Sequence, residues 1–260
     1  LYTLFCGNLY YNSEQMITLE SCPICSGDRI TQFRQAGIAP RVIHEIMPGV
    51  KVNAAVISRY SVCQSCNLIF QNPRMSDSEL NKFYSQGVYR KTLNLTAEQK
   101  DKDELYRTKI DSEIIKRYVG KVKSHLDIGC SRGYLLDEIG AIVKAGVEAG
   151  IDDVTVKGIK IYAKMSQVSH KKFDLVTAIH VLEHVGKPLD YLKTMSKFIG
   201  KDGYLVVEVP TWKSPGGPLR LAHLYHFEPD VLKLMCKQVG LKVMHVEFTP
   251  HLMLICKLTT

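Results

Sequence analysis

Several things are missing from this sequence, and each absence removes a class of protein. No run of about 18 apolar residues occurs, so a transmembrane helix is not expected. The first residues, LYTLFCGNLYYN, lack a basic start and a small-residue cleavage site, which argues against a secretory signal. No block of five or six like charges marks a nucleic-acid-binding tail. Internal repeats and low-complexity tracts are lacking too, which removes solenoids and disordered linkers. What remains is ordinary globular composition: 45% hydrophobic and 23% charged over 260 residues, enough for one large domain or two smaller ones. The net charge of +8 permits an acidic partner, a nucleotide or RNA among them, but Lys and Arg are spread along the chain rather than gathered. Residues 1–20, which open on Leu1, are read as an N-terminal arm that need not be native, and they enter no fold expectation.

Eight cysteines are present, and four form two pairs, Cys22-x-x-Cys25 and Cys63-x-x-Cys66, with 37 residues between them. Two thiolate pairs on tight turns can give the tetrahedral sulfur shell that zinc prefers. Residues 21–75, with β-like stretches between the pairs, are expected to be a zinc ribbon. So small a unit buries little apolar surface, and a structural zinc, at roughly 10–16 kcal/mol of apparent binding free energy, would decide its folding. The competing reading is a pair of redox or disulfide couples. The scattered Cys6, Cys130, Cys236 and Cys256 read as free thiols of a reducing compartment, hence a cytoplasmic protein.

Residues 76–120 read as a helical linker or lid over the open edge of the main domain. Ser76 with Glu79 three later is a capping box, and Gly120 is a stop signal. From 121 to 260, strand-like and helix-like stretches alternate, which gives a mostly parallel sheet covered on both faces. The last two strand candidates, LKVMHVEFT and HLMLICKL, are too close for a helical crossover and should pair antiparallel.

The chemistry is expected where HLDIG ends and GYLLDEIG begins. Gly129 and Gly133 shape that turn, but Ser131 stands where a dinucleotide fingerprint wants its middle glycine. Asp127, just before the turn, suits a cationic ligand better than a phosphate. Glu148, 21 residues later at the next strand end, can accept hydrogen bonds from ribose hydroxyls. A ribose and a positive group without a pyrophosphate describe S-adenosylmethionine.

LDIGCSRGYLL, GVE and FDLVTAIHVLEHV, taken together, resemble the class I S-adenosylmethionine-dependent methyltransferases over roughly residues 121–260. The front, CPIC and CQSCNLIFQNPRMSDSELNKFYSQGVYR, is similar to the zinc-ribbon methyltransferases of sugar and polysaccharide pathways. The resemblance implies an α/β, Rossmann-like sheet with a small N-terminal ribbon. It implies Asp127, Gly129, Cys130, Gly133 and Glu148 as cofactor contacts, with His180 close by. Family members often put an acid or amide after the third strand to meet adenine; this chain has Tyr162-Ala163-Lys164 there, so no adenine residue is named.

His180-Val-Leu-Glu183-His184 carries three readings. As His-x-x-Glu-His it matches a zinc protease signature, but Gly186 and Pro188 deny it the long helix that motif needs. In a methyltransferase, Glu183 or His184 would lie near the acceptor and take its proton. Alternatively the two residues brace a helix start. Downstream, Trp212, His223, Tyr225 and His226 suggest an acceptor pocket with His226 as a second candidate base, or else a packed aromatic lid. Tyr89 stands where relatives often close over the cofactor. The expectation is methyl transfer to oxygen or carbon of a small molecule, a sugar or nucleotide-sugar by resemblance, with no membrane partner. An RNA base methyltransferase and a non-catalytic protein on a decayed fold are the rivals.

Overall fold

The computed structural model describes residues 4–6, 9–11, 16–38, 56–85, 97–149, 159–169, 172–211, 213, 223–248 and 251–259. Tyr89 and Trp212 lie outside them. A short hairpin, β1 (Leu4–Cys6) and β2 (Leu9–Tyr11), comes first, and β3 (Met16–Ile17) pairs antiparallel with β7 (Arg74–Met75). Between them stand β4 (Ile30–Ile38), β5 (Val56–Cys63) and β6 (Ile69–Gln71), an antiparallel set carrying the cysteine pairs. Helix α1 (Asp77–Ser85) starts after Ser76, whose hydroxyl accepts the Glu79 amide at 3.3 Å. Helix α2 (Ala97–Val119) ends at Gly120, whose φ of 79° suits glycine.

The main sheet follows. Its strands are β8 (Ser124–Ile128), β9 (Val143–Val147), β10 (Lys160–Tyr162), β11 (Phe173–Ile179), β12 (Ile199–Val209), β14 (Leu241–Phe248) and β15 (Leu252–Leu258). They lie in the order β10-β9-β8-β11-β12-β15-β14. The first five are parallel to their neighbours; β15 pairs antiparallel with both β12 and β14, as their short connection requires. Helices α3 (Tyr134–Ile139), α4 (Pro188–Ser196) and α5 (Pro229–Gln238) supply the crossovers, and proline opens two of them at a position where its missing N–H costs nothing. This is the doubly wound, Rossmann-like sheet with antiparallel last strands expected from the sequence. Among the described residues no helix is long and apolar enough to cross a membrane.

Side-chain alternation divides the core. Leu126, Ile128, Val176, Ala178, Leu205 and Val207 face α4, α5 and, further on, the front-unit residues Ile24, Leu68 and Phe70. Leu175, Val206, Met253 and Ile255 face the other way, against Ile114 and Ile115 of α2 and Leu135 of α3. Helix α2 therefore covers a face of the sheet rather than its edge. Toward the carboxyl ends of the strands that second face turns polar: Asp127 stands opposite Thr177, and Glu208 stands opposite Ile179 further along, with Asp127, Thr177 and Glu208 all buried.

The front sheet has the order β13-β6-β5-β4, and its edge strand β13 (Tyr225–His226) comes from the C-terminal half of the chain. Tyr225 pairs with Phe70 and His226 with Ile69. The Gln71 amide donates to Leu224 O at 2.8 Å, and the Tyr60 hydroxyl donates to His223 O at 3.0 Å. The front unit is thus stitched to the segment that approaches the main sheet's ligand face.

Candidate active site

A cavity of about 1620 Å³ opens at the carboxyl ends of β8, β9, β11 and β12, beside the switch point between β8 and β11. A typical small-molecule pocket holds roughly 300–1,000 Å³, so this one has room for a cofactor and an acceptor together.

Its floor is the turn after β8. The amides of Gly129 and Cys130 both donate to Val147 O, at 2.7 and 3.2 Å, locking the turn to the end of β9. Gly129 has φ 78°, and a β-carbon there would stand 2.5 Å from Val181 Cγ2, so only glycine fits. Gly133 has the same φ and caps α3; it shapes the turn from behind. Cys130 is buried against Gly146, where an added β-carbon would meet its sulfur at 2.5 Å. The Glu148 carboxylate reaches back to the turn: Oε2 accepts the Ser131 amide at 2.8 Å. The two strand ends singled out in the sequence are joined by one charge-assisted hydrogen bond.

Asp127 is buried beneath this turn. Thr177 donates to its Oδ1 at 2.6 Å, and His125 Nε2 donates in turn to Thr177 at 2.8 Å. Burial pushes the Asp127 carboxyl up to about 7. Burial also pushes His125 down to about 3, so it is neutral and can serve only as a relay of hydrogen bonds. Helix α2 closes the turn from above: Ser131 donates to Glu104 at 3.2 Å and Arg132 pairs with Asp101 at 2.6 Å.

The opposite wall follows β11. His180 sits at the strand end with φ 56°, a conformation that non-glycine residues adopt only when held. Its Nδ1 lies 3.2 Å from Glu183 Oε1 and its Nε2 3.3 Å from Glu208 Oε1. Burial alone would drive His180 down, but the two carboxylates outweigh it and hold the imidazole up at about 9. Glu183 is fully buried, yet His184, His180 and His223 outweigh that burial and bring it down to about 2. His184 Nε2 is 3.6 Å from Glu183 Oε1, and the His184 and His223 rings meet edge-to-face at 5.0 Å. Asp111 of α2 is pushed up to about 8 by burial and by Glu208, so it keeps its proton near neutral pH.

His180, Glu183, His184 and His223 all line the cavity with Asp127, Gly129, Cys130 and Glu148. His226 and Tyr225, expected at the acceptor, do not. Both are fully buried in β13, whose pairing with β6 sends the two side chains to opposite faces of that strand and fixes them in packed interior. The Tyr225 hydroxyl donates to Gly186 O at 2.8 Å, and the His226 ring lies 5.3 Å from that of Tyr60. Burial pushes His226 down to about 4, a poor proton acceptor even if a substrate could reach it. Sequence reasoning also missed Asp111, Thr108, Glu208 and His251, which line or back the cavity. A signal existed for Asp111: it stands three and four residues before Ile114 and Ile115, on the buried stripe of its helix.

The four thiols of Cys22, Cys25, Cys63 and Cys66 converge elsewhere. Cys22 Sγ is 3.6 Å from Cys66 Sγ, Cys25 Sγ is 3.6 Å from Cys63 Sγ, and all four sulfurs lie within 4.8 Å of one another. Zinc–sulfur bonds of about 2.3 Å in a tetrahedron place sulfurs about 3.8 Å apart, so the group fits a metal. Each pair is closed by a residue with positive φ, Ser26 (59°) and Asn67 (64°), whose amide donates back to the first cysteine's carbonyl.

A doubly wound sheet with an antiparallel final strand, a glycine turn and an acid at the second strand end defines the methyltransferase class of α/β folds. A family model for the methyltransferase domain matches residues 89–246, more than half of the chain, and the protein belongs to that family. Among solved structures, the chain is similar to the 1,6-didemethyltoxoflavin N1-methyltransferase of Burkholderia thailandensis, crystallised with 1,6-didemethyltoxoflavin and S-adenosylhomocysteine. The identity is 15% and the TM-score 0.56, over 74% of this chain and 96% of that one. It is also similar to the magnesium protoporphyrin IX methyltransferase of Synechocystis, crystallised with S-adenosylhomocysteine: 15% identity, TM-score 0.51, over 71% of this chain and all of that one. Comparison with curated proteins gives no match.

Proposed function

We propose that this methyltransferase uses S-adenosylmethionine to methylate an oxygen or carbon of a small molecule, a sugar or nucleotide-sugar, and that its front unit is a zinc ribbon. One observation carries the cofactor assignment: the Glu148 carboxylate and the Gly129–Ser131 turn converge at 2.8 Å on the floor of a cavity large enough for two ligands. Glu148 would accept from ribose hydroxyls, and Asp127 and the turn would hold the amino-acid part. When bound, the cofactor supplies an electrophilic methyl on a sulfonium.

The chain's own residues do the rest. The turn and Glu148 fix the donor's direction, because methyl transfer needs an in-line approach. His180, held between Glu183 and Glu208, fixes the wall beside the donor. Glu183 and His184 govern the acceptor's proton. The ribbon, through Tyr60 and Gln71, holds the segment that carries His223. Its four cysteines are the proposed zinc ligands, supported by their clustering.

The test is a screen of nucleotide-sugars with methyl-labelled cofactor. Label transferred to one class of sugar, and lost with His184→Gln, supports the reading. Transfer to RNA alone replaces the acceptor, and cofactor binding with no transfer to any of these acceptors would favour a binding protein on the same fold.

A further inference from the structure

We propose that Glu183, His184 and His223 form a binding site for a divalent transition-metal ion, which anchors and acidifies a hydroxyl of the methyl acceptor. The inference rests on the reading of the cavity as a methyl-transfer site for its second half only; the metal site stands on its own geometry.

That geometry has three parts. First, one ligand atom from each residue can be chosen so that all three lie within 4.8 Å of one another. Ligands on one ion with bonds of about 2.0–2.2 Å stand at most about 4.4 Å apart, so small rotamer shifts close the set. Second, Glu183 is fully buried, and its two oxygens are not equivalent. Oε1 faces His180 at 3.2 Å and His184 at 3.6 Å, whereas Oε2 is buried with no hydrogen-bond partner among the described residues. A buried carboxylate oxygen left bare is costly, and a cation is the partner that repays it best. Third, the cluster is supported like a metal site. His180 orients Glu183 from behind, Leu224 N donates to Glu183 O at 2.8 Å, and Tyr60 fixes the His223 backbone at 3.0 Å.

Two imidazoles and one carboxylate leave open positions on the ion, and all three residues line the cavity. This donor set suits zinc, cobalt, iron or manganese better than magnesium, which prefers oxygen ligands. An open coordination position takes an oxygen, so the acceptor class narrows to hydroxyl compounds. The ion lowers the hydroxyl's pKa. The oxygen then forms its bond to the methyl carbon as the carbon–sulfur bond breaks, and the hydroxyl proton passes to water.

The experiment uses the full chain with its cysteine site loaded with zinc, titrated with cobalt(II). We expect one cobalt per chain with visible d–d absorption and no thiolate charge-transfer band. Glu183→Gln and His223→Asn should each weaken that binding at least 30-fold while S-adenosylhomocysteine still binds. X-ray absorption on the wild-type protein keeps the test independent of variant folding: imidazole nitrogen and oxygen around cobalt support the site. No saturable cobalt binding, sulfur-only ligation, or equal binding in both folded variants overturns it. Absence of cobalt binding with intact S-adenosylhomocysteine binding sinks the metal site and leaves the methyltransferase reading standing. Cobalt bound without any affinity for S-adenosylhomocysteine sinks that reading and leaves the metal site.

Discussion

Replacing Cys63 by alanine removes one of the four clustered thiols, and the consequences can be followed residue by residue. Cys63 is fully buried, 3.6 Å from Cys25 Sγ. If the cluster holds zinc, the metal contributes roughly 10–16 kcal/mol of apparent binding free energy, comparable to a whole domain's net stability of about 5–15 kcal/mol. Loss of one thiolate should therefore unfold β4–β6 as a unit. The damage has a defined route onward. β13 loses its partner β6, His223 O loses the Tyr60 hydroxyl, Leu224 O loses the Gln71 amide, and Ile24 O parts from Gln238 Nε2. At a net 0.5–1.5 kcal/mol per hydrogen bond, these contacts together couple the front unit to the cavity by on the order of 2–6 kcal/mol. None of them touches Asp127, Gly129 or Glu148. The variant should show a separate, low-temperature melting step, free reaction of its three remaining ribbon thiols, and turnover reduced through displacement of His223. Its affinity for S-adenosylhomocysteine should stay within about threefold of wild type. The assays are scanning calorimetry, thiol titration and metal analysis. A single unshifted melt, or wild-type ribbon thiols that already react freely with no zinc bound, would refute the reasoning.

Four further outcomes follow from the cavity. Burial raises Asp127 to about 7, above an unfolded value of about 3.9, so its contribution to stability is complete below about pH 4 and is lost as pH rises through 7. Denaturant unfolding between pH 4 and 8 should show Asp127→Asn losing up to on the order of 4 kcal/mol of that pH dependence; parallel curves for the two proteins would contradict it. Gly129→Ala must place a β-carbon 2.5 Å from Val181 Cγ2 at φ 78°, and should cost about 1–3 kcal/mol in a thermal melt along with cofactor affinity. His184→Gln should leave S-adenosylhomocysteine affinity nearly intact and cut turnover by about 10²–10⁴-fold; full turnover would remove His184 from the chemistry. Glu148→Ala should weaken cofactor binding by about 1.5–3 kcal/mol, since a charged acceptor is lost.

What the sequence revealed, and what it hid, follows from the range of the forces involved. The sheet was legible because each strand and cap is a local pattern: Asp127 and Glu148 stand at strand ends, and Gly120, read as a helix stop, and Gly133, read as a turn glycine, both adopt the left-handed conformation. The cysteine pairs were legible because their spacing is local too. His226 and Tyr225 misled because their fate depends on a strand pairing across the chain, with Ile69 and Phe70, that no local pattern announces. Glu208 was hidden in an apolar run, and Asp111 in a helix rich in charge, where one more carboxylate reads as solvated. Only the packing of α2 over β12 brings those two together.

The most direct measurement is a calorimetric titration of S-adenosylhomocysteine into the wild-type chain and into Glu148→Ala. The account predicts one saturable site per wild-type chain, and binding weakened by about 10- to 150-fold in the variant, the equivalent of 1.5–3 kcal/mol. No binding to the folded wild-type protein, or equal affinity in the two, would contradict the claim that the Glu148–Ser131 junction is a cofactor site.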